Sequence, residues 1–523
     1  MKNILTLILT VLSVNCIQAQ TFEQAKTDYQ NENFSNAKKT LLNLIKTDNS
    51  SLTTLYLGNT YLMTDDSDSA KFYYKKAETG TDAYSYIAKA KLILMEQNDI
   101  ATALINLDKA VAISRKKESE VLFQAGYTTF TPKPVYAAQL VKYLEEARTM
   151  APGNIYYALI LGDVYQTMPN GGGKAMSIYE DMAAKYPNNA LPFMRIGRLF
   201  YASTNYPVAI ENLEKANALN PNFGVVHKEL GELYYLQKNY VKAKEEFKKY
   251  IDINSNDPKA KSIYVGFLYQ FKDYQKAIEE INAYLPSDST NYVYHRILAY
   301  SHQELKQSKI AQVEIDKFWK YVGKNKVTIL DYTYAGKIAV GNGDTLNAIN
   351  CMRTAAEMDS TNADIQSEFA LTLFNFKKYR ESIAQYKKRI AMPQKGPSAL
   401  DVYYLGRAYF VEKDFINSDS AFATFVQMQP KSPDGYLWRA KSNVELEDKK
   451  NFKGLASAHY LKFIELGGND LARNKGNLIT AYNYLAIVSL TQKDTAKAKE
   501  YFGKVLELDP NNKIAQEEIK KIK

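Results

Sequence analysis

The residues that could bind a metal ion or act as a nucleophile are few in this chain of 523 residues. The histidines are His227, His295, His302 and His459, and the cysteines are Cys16 and Cys351. His295 and His302 are seven residues apart, which on one helix means one face but a separation of about 10 Å. One metal ion cannot bridge that distance, and no His-Glu-x-x-His or Cys-x-x-Cys pattern occurs. The sequence therefore predicts no metal site and no cofactor.

One glycine-rich segment, Asn-Gly-Gly-Gly-Lys at residues 170–174, is a candidate phosphate-binding loop. The next residue is Ala175 rather than Ser or Thr, and no strand pattern precedes the segment. A flexible turn between helices is therefore the better interpretation. Carboxylates are numerous, but they are spread at helical-surface spacing and no acid–base pair can be singled out. We predict that the chain is not an enzyme.

The chain instead repeats itself with a period of 34 residues. In one unit a large residue, a glycine and an aromatic residue stand at Ile196, Gly197 and Phe200, and Ala209 and Leu213 follow. The three units that come next repeat this pattern in register around Leu230-Gly231, Tyr264-Val265 and Leu298-Ala299. Each half of a unit places its apolar residues on one face of a helix. The sequence thus predicts an all-α fold of helical hairpins.

The small residues and the prolines support this prediction. Gly197 and Gly231 stand where two helices of a hairpin would cross closely, so that a larger side chain would overpack the contact. Pro221 and Pro510 fall between units, where no helical N–H is needed. A single hairpin cannot bury its apolar faces alone, so the hairpins must stack on one another.

The pattern resembles the tetratricopeptide repeat, whose motif is large-small-x-x-aromatic on helix A and Ala…Phe…Ala…Pro on helix B. Further units carry the motif at Leu57-Gly58, Leu161-Gly162, Leu405-Gly406 and Leu485-Ala486. The resemblance implies a superhelical solenoid of about fourteen helix-turn-helix repeats over residues 21–511. Residues 512–523, with a polar stretch from Lys513 to Lys521, are expected to form a C-terminal capping helix.

Several segments depart from the period. They are Thr129 to Pro134, Asn170 to Gly173, Pro393 to Ser398, Glu447 to Gly454 and Gly467 to Asn477. Loops on a rigid scaffold often carry function, so these segments are candidate contact points. Tolerated surface insertion is the alternative interpretation.

Residues 1–20 read as a secretory signal peptide. Lys2 provides the positive charge, and Ile4 to Val14 is an apolar stretch of the expected length. Ser13-Val14-Asn15 is a poor match to the triplet that precedes a lipid-modified cysteine, so ordinary cleavage is favoured over a lipid anchor at Cys16. No later stretch has the roughly 18 consecutive apolar residues of a membrane span. We expect an exported protein of the periplasm or cell surface with no transmembrane segment in the mature chain.

The net charge of +10 arises from 67 basic and 57 acidic residues that are mixed along the chain. Such mixing is typical of solvated helix faces, so we predict no nucleic-acid binding. The small positive excess favours acidic partners or peripheral association with an anionic envelope surface.

The resemblance also implies a binding surface, because helix A lines the concave wall of tetratricopeptide solenoids. Its twelfth position holds Tyr201, Tyr235, Tyr269, Phe374 and Phe410, and nearby lie the basic residues Arg198, Lys228 and Arg296. Aromatic rings beside basic groups suit extended peptide segments. Aromatic residues at this position also pack between units, which is the alternative interpretation. The carboxylate clamp of the family is not matched, because Glu232 stands where it has asparagine.

The leading interpretation is a non-catalytic protein–protein interaction scaffold of the periplasm or cell surface. It would bind peptide segments or partner proteins on its concave face, within an envelope or secretion assembly. The Lys/Asn/Tyr-rich composition is typical of an exported protein of a Bacteroidota-type bacterium. A glycan-binding outer-membrane module is one alternative, although such modules have few repeats, long insertions and a clear lipid-attachment motif. An enzyme with an unrecognised site in residues 447–477 is the other.

Overall fold

The computed structural model of the chain describes residues 22–115, 117–130, 138–393, 396–448 and 451–522. These residues form α-helices and two short 3₁₀ helices, and no strand occurs among them, which confirms the all-α prediction. The predicted signal peptide lies outside the described residues, as does most of the predicted interruption at 129–134. The chain divides into two compact units, with unit 1 ending at Lys272 and unit 2 beginning at Asp273.

Unit 1 contains helices α1 to α15. Their bounds are 22–30 (α1), Phe34–Leu44 (α2), Ser51–Met63 (α3), Ser67–Ala77 (α4), Ala83–Glu96 (α5), Ile100–Ile113 (α6), Ser119–Gly126 (α7), Ala138–Met150 (α8), Ile155–Thr167 (α9), Gly172–Lys185 (α10), Ala190–Ala202 (α11), Tyr206–Leu219 (α12), Gly224–Leu236 (α13), Tyr240–Ile253 (α14) and Pro258–Gln270 (α15). Odd-numbered helices are the A helices of successive repeats, and even-numbered helices are the B helices.

Unit 2 contains helices α16 to α29. Their bounds are Tyr274–Tyr284 (α16), Tyr292–Glu304 (α17), Ser308–Tyr321 (α18), Ile329–Asn342 (α19), Thr345–Met358 (α20), Ala363–Asn375 (α21), Tyr379–Ile390 (α22), Ala399–Val411 (α23), Phe415–Met428 (α24), Pro433–Glu445 (α25), Ser457–Gly467 (α26), Leu471–Thr491 (α27), Thr495–Leu508 (α28) and Lys513–Lys521 (α29). In sequence order α1 to α28 make fourteen A/B pairs, and α29 follows them as a single helix, as the period predicts.

Within each unit several consecutive A helices lie side by side. Direct contacts join α3 with α5 and α9 with α11 in unit 1, and α17 with α19 and α21 with α23 in unit 2. Within a unit, a B helix packs against the A helix before it and the A helix after it, as α4 does with α3 and α5 and α22 does with α21 and α23. We call the surface formed by the A helices the A-helix wall of each unit.

The predicted close crossing of helices A and B is confirmed at the glycines. A Cβ atom added at Gly197 would lie 2.8 Å from Cγ of Leu213, and one added at Gly231 would lie 2.9 Å from Cε1 of Phe247. Both of these B-helix side chains are buried. The glycine therefore lets the large residue of helix B approach the backbone of helix A, which fixes how the two helices pack.

Replacing Gly231 with Leu is expected to lower the free energy of unfolding by about 1–3 kcal/mol, because the new side chain overpacks the crossing. Phe247 cannot easily move away, since its ring is stacked on Phe267. Urea unfolding followed by circular dichroism measures the loss. Gly266 is the matched control: it also lies in an A helix of unit 1, but apart from its chain neighbours and the backbone of its own helix no described atom lies within 4 Å of its added Cβ. Equal losses for Gly231→Leu and Gly266→Leu would contradict the assigned packing.

The turn from helix A to helix B places one residue in the left-handed region in most repeats. Thr204 and Lys238 illustrate this, with φ of 62° and 61°, each two residues before the first residue of its B helix. Glu32 and Asp65 occupy the same position in the first two repeats, with φ of 55° and 62°. Both residues form ion pairs with helices far along unit 1, and these pairs matter for the candidate surface there.

The stretched repeat near the C-terminus owes much of its length to a long helix. Helix α27 begins at Leu471, where the Asp470 side chain accepts a hydrogen bond from the backbone N–H of Arg473, and it runs for 21 residues. The predicted departure at 467–477 is therefore largely helical, and only residues 468–470 separate α26 from α27. Helix α10 likewise begins at Gly172, inside the predicted turn at 170–173.

Candidate partner-binding surfaces

Arg198, a predicted partner-binding residue, lies in a network of ion pairs within unit 1. Its guanidinium donates two hydrogen bonds to Glu32, at 2.6 and 2.7 Å, and one to Glu229, at 2.7 Å. Arg195, three residues earlier on α11, donates to Glu32 and Asp163 at 3.1 Å each. We call these five residues the unit 1 charge network. A partner that binds Arg198 must displace a carboxylate of the chain itself.

The two glutamates of this network respond to burial in opposite ways. Burial would raise the pKa of Glu32, but the positive charges of Arg198 and Arg195 outweigh it and lower that pKa to about 2. Burial raises the pKa of Glu229, because the charge of Arg198 does not fully offset the lost hydration. Glu32 is thus the carboxylate that the network holds firmly ionised.

Helix α1, the first A helix of unit 1, makes polar contacts with the seventh helix and with the 3₁₀ turn that follows it. The hydroxyls of Tyr29 and Tyr127 share a hydrogen bond of 2.6 Å. Lys26 of the same helix donates to Glu120 at 2.6 Å, and Tyr56 donates to that carboxylate at 2.8 Å. Helix α1 is therefore joined by hydrogen bonds to other side chains of the wall on which a partner was predicted to bind.

Lys91 on α5 is fully buried beside this tyrosine cluster. Its Nζ atom lies 5.3 Å from the ring centroid of Tyr127 and 5.8 Å from that of Tyr74. No hydrogen-bond partner for it is found among the described residues. Burial lowers the pKa of Lys91 to about 7. Nothing in its sequence position distinguishes this lysine from the exposed lysines of other helices.

The three predicted tyrosines occupy equivalent positions on α11, α13 and α15. All three are half-buried. Tyr201 packs 6.0 Å from Tyr206, and Tyr235 packs 5.6 Å from Tyr240 and 5.4 Å from Phe271, measured between ring centroids. The rings therefore contact neighbouring elements and are also partly accessible. A role for Tyr201, Tyr235 and Tyr269 in partner binding stays a prediction.

The other two predicted basic residues also have acidic neighbours. Lys228 lies 3.3 Å from Glu232 on the same helix, the glutamate that departs from the carboxylate clamp. In unit 2, Arg296 donates to both carboxylate oxygens of Asp331, at 2.7 and 2.9 Å, and Asp331 is fully buried. The Arg296 guanidinium also lies 4.9 Å from the ring centroid of Phe318. Both basic groups are thus held in place by the chain.

The predicted aromatic residues of unit 2 belong to a larger aromatic cluster on the A helices. Phe374 lies 5.1 Å from Tyr404, and Phe410 lies 5.1 Å from Trp438, both in edge-to-face geometry. Trp438 also stacks on Phe422, with ring centroids 5.8 Å apart. Trp438 was missed because it stands outside the repeat positions that the family resemblance singles out. Its rarity was the available signal, since the chain has only two tryptophans.

Two adjoining cavities open on the A-helix wall of unit 2. One, of about 600 Å³, is lined mainly by α17, α19 and α21, and the other, of about 570 Å³, mainly by α21 and α23. Glu368 and Leu371 line both cavities. Apolar and charged side chains meet here, because Val340 and Leu400 stand among Lys337, Glu368 and Asp401 in the two linings. The cavities thus offer both apolar contact and ion pairing to a bound chain.

The residues considered for catalysis form hydrogen bonds within the chain. His227 bonds Glu246 at 2.6 Å and the backbone oxygen of Pro221 at 2.8 Å, and His295 makes the equivalent pair of bonds in its own repeat. In the segment 447–477, the Glu447 carboxylate accepts hydrogen bonds from the backbone N–H groups of Lys453 and Leu455, at 2.6 Å each. The described residues contain no group of three or more potential metal ligands.

Two family models of the tetratricopeptide repeat match the chain, one over residues 200–264 in unit 1 and the other over residues 479–512 in unit 2. The chain is a tetratricopeptide repeat protein. The first match extends from the end of α11 into α15, where the period is also clearest in the sequence. The comparison of this tetratricopeptide repeat protein with curated proteins finds no match.

Several solved structures are similar to this tetratricopeptide repeat protein. The C-terminal part of a repeat protein from Cytophaga hutchinsonii has 29% identity, covers 49% of this chain and 98% of that one, and has a TM-score of 0.44. A repeat protein from Parabacteroides merdae has 16% identity, with 49% and 98% covered and a TM-score of 0.36. A protective antigen of uropathogenic Escherichia coli with an SLR fold has 16% identity, with 84% and 97% covered and a TM-score of 0.44.

The family defines the general role of this tetratricopeptide repeat protein. Arrays of such repeats serve as protein–protein interaction scaffolds and are typically non-catalytic, because their stacked helices present an extended surface. None of the helices in the described part of the chain has the length and apolar composition that crossing a membrane requires.

Proposed function

We propose that this protein is a non-catalytic scaffold that binds extended polypeptide segments on the A-helix wall of unit 2. The observation that supports the proposal is the pair of adjoining cavities that share Glu368 and Leu371. Successive side chains of an extended segment could enter one cavity and then the next, as in other grooves that bind peptides. The mixed apolar and charged lining provides contact area and orientation for such a segment.

We prefer the A-helix wall of unit 2 to that of unit 1 because the predicted contact residues of the two units have different neighbours. In unit 1, Arg198 already binds two carboxylates of the chain, and Tyr29 of α1 is bonded to Tyr127. In unit 2, Phe374 and Phe410 are half-buried members of an aromatic cluster on α21 and α23. The second of the two cavities includes Tyr404, which contacts Phe374 directly. A segment seated there can reach this predicted contact residue.

The proposed location is the periplasm or the cell surface, within an envelope or secretion assembly. The proposal rests on the predicted signal peptide at residues 1–20 and on the mild positive net charge, which favours acidic partners. N-terminal sequencing of the protein purified from its native host tests export. A mature chain that begins near Gln20 supports it, and a chain that retains Met1 contradicts it.

Replacing Leu371 with Trp is expected to reduce partner capture at least tenfold, because the larger side chain fills space shared by both cavities. The tagged full chain, produced in its native host, is purified with bound proteins, and the amount retained per scaffold molecule is measured. Leu346→Trp is the matched control, since Leu346 lies on the B helix α20 and is 70% exposed. Equal retention by both variants would show that the partner binds elsewhere.

A further inference from the structure

Two basic side chains lie close to the indole of Trp438 on the A-helix wall of unit 2. Arg407 on α23 and Lys441 on α25 are 34 residues apart and thus occupy equivalent repeat positions. The Arg407 Cζ atom lies 4.3 Å from the Trp438 ring centroid, and the Lys441 Nζ atom lies 4.7 Å from it. All three side chains are half-buried. Two positive charges therefore lie near the same ring in a partly desolvated environment.

Neither charge is balanced by a carboxylate of the described residues. Arg407 donates a hydrogen bond to the Tyr403 hydroxyl at 3.3 Å, and its buried Nε atom has no hydrogen-bond partner there. The undescribed residues of unit 2 are Gln394, Lys395, Lys449, Lys450 and Lys523, and none has an acidic side chain. Asp434, the acidic side chain that acts on Lys441 electrostatically, is paired with Arg473 at 2.5 Å.

The remaining arginines provide a comparison within the same molecule. Every other buried or half-buried arginine in the described part of the chain pairs with a carboxylate. These pairs are Arg148 with Asp181, Arg195 with Glu32 and Asp163, Arg198 with Glu32 and Glu229, Arg296 with Asp331, Arg389 with Asp401, and Arg439 with Asp419. Arg407, which lies on the A helix α23, departs from this rule.

A desolvated cation without a counter-charge is costly, and two neighbouring cations also repel each other. Burial, and secondly the charge of Arg407, lowers the pKa of Lys441. An anion bound between the two groups would remove both costs. The Arg407 guanidinium offers a fork of donors that matches a carboxylate, and Lys441 adds a second charge. The Trp438 ring supplies apolar contact for the carbon atoms that carry the anion.

We infer that Arg407, Lys441 and Trp438 form a subsite that binds a carboxylate of the captured polypeptide. The inference rests on the proposed function, because the polypeptide bound on the A-helix wall of unit 2 carries this carboxylate. It predicts that acidic segments are preferred over neutral ones of the same length. The subsite uses residues other than those of the family's carboxylate clamp and other than the predicted partner-binding set.

Tryptophan fluorescence tests the subsite directly. In the full chain with Trp319→Phe, Trp438 is the remaining tryptophan, because the sequence has only two. We expect a short peptide of alternating Glu and Ser to change its emission, and to bind at least tenfold more tightly than the peptide with Gln in place of Glu. Arg407→Gln and Lys441→Met should each weaken binding about tenfold, the loss expected for one charge-assisted contact. Lys441→Arg, which keeps the charge, should retain binding.

Lys462→Met is the matched control for lost charge, because Lys462 lies nearby in the sequence but its side chain is 40% exposed and pairs with Glu465. Circular dichroism of each variant establishes that it is folded. Equal binding of the Glu and Gln peptides, or unchanged binding by folded Arg407→Gln and Lys441→Met variants, would overturn the inference. A change in Trp438 emission with inorganic phosphate equal to that with the Glu peptide would also overturn the inference, because it would indicate a general anion site. If Leu371→Trp still reduces partner capture at least tenfold in that case, the proposed function stands and the subsite alone fails.

Discussion

Replacing Glu32 with Gln is expected to lower the stability of unit 1 by about 3 kcal/mol, because the change removes one charge from a buried network that contains two arginines. The side chain of Arg195 is only 5% exposed and that of Glu32 is 18% exposed, so water cannot replace the lost partner. Hydrogen exchange of α11 amides, measured by mass spectrometry on the full chain, reports the change in local opening free energy.

Asp65→Asn is the matched control. Asp65 occupies the same left-handed turn position in the next repeat and also pairs with a distant helix, through Lys259 at 2.7 Å. That aspartate is 81% exposed, so its loss should cost less than about 1 kcal/mol. Similar losses for Glu32→Gln and Asp65→Asn would contradict the structural importance of the buried network.

The stability difference between the native chain and Glu32→Gln is expected to depend on pH. The pKa of Glu32 falls from an ordinary value of 4.5 to about 2 in the folded chain, so the unfolded chain binds more protons between these values. The stability that Glu32 contributes is therefore present above pH 4.5 and is lost as the pH falls towards 2. The stability difference between the native chain and Glu32→Gln should shrink over that interval. A constant difference would contradict the assigned ionisation.

Replacing Lys91 with Met is expected to stabilise unit 1 by about 2–4 kcal/mol at pH 7, because it removes an amine that must lose its proton or its hydration to be buried. Methionine keeps the length of the lysine stem and hence most of its packing against the tyrosines. Urea unfolding of both proteins gives the difference. Lys89→Met, two residues away on an exposed part of α5, is the control and should change stability little.

The benefit of Lys91→Met should decrease as the pH rises. Burial lowers the pKa of Lys91 from 10.5 to about 7, so the unfolded chain binds more protons than the folded chain between these values. The native chain therefore gains stability from pH 7 towards pH 10.5, whereas the variant does not gain it from this site. We expect the difference to fall by about half between pH 7 and pH 9. A difference independent of pH would place Lys91 in water rather than in the core.

The periodic features of the structure could be read from the sequence because each repeat depends on nearby residues. The pairing of Gly231 with Phe247 needs only sixteen residues of chain, and the 34-residue period sets where each hairpin begins. Helix α29 was predictable for the same reason, since its polar pattern follows the last proline of the array. Local spacing thus determined the helices and their packing within a repeat.

The contacts that the candidate residues make could not be predicted from the local spacing of the sequence. Arg198 was predicted from its repeat position, but its partner Glu32 lies 166 residues earlier. That contact depends on how the stacked repeats of unit 1 curve, and small rotations at each repeat are not encoded in the period. The contact between Trp438 and Arg407 was not predicted for a related reason. It depends on how two neighbouring A helices pack together. The sequence therefore predicted the A helices better than the ion pairs and ring contacts that their side chains form.

Site-specific photo-cross-linking tests the central claim that the A-helix wall of unit 2 holds a partner polypeptide. A photoreactive phenylalanine derivative placed at Leu371 in the full chain, in its native host, is predicted to give a covalent adduct after irradiation. The same residue placed at Leu346, on the outer helix α20, is predicted to give none. Adducts at Leu346 but not at Leu371 would contradict the account, because they would place the partner on the B helices.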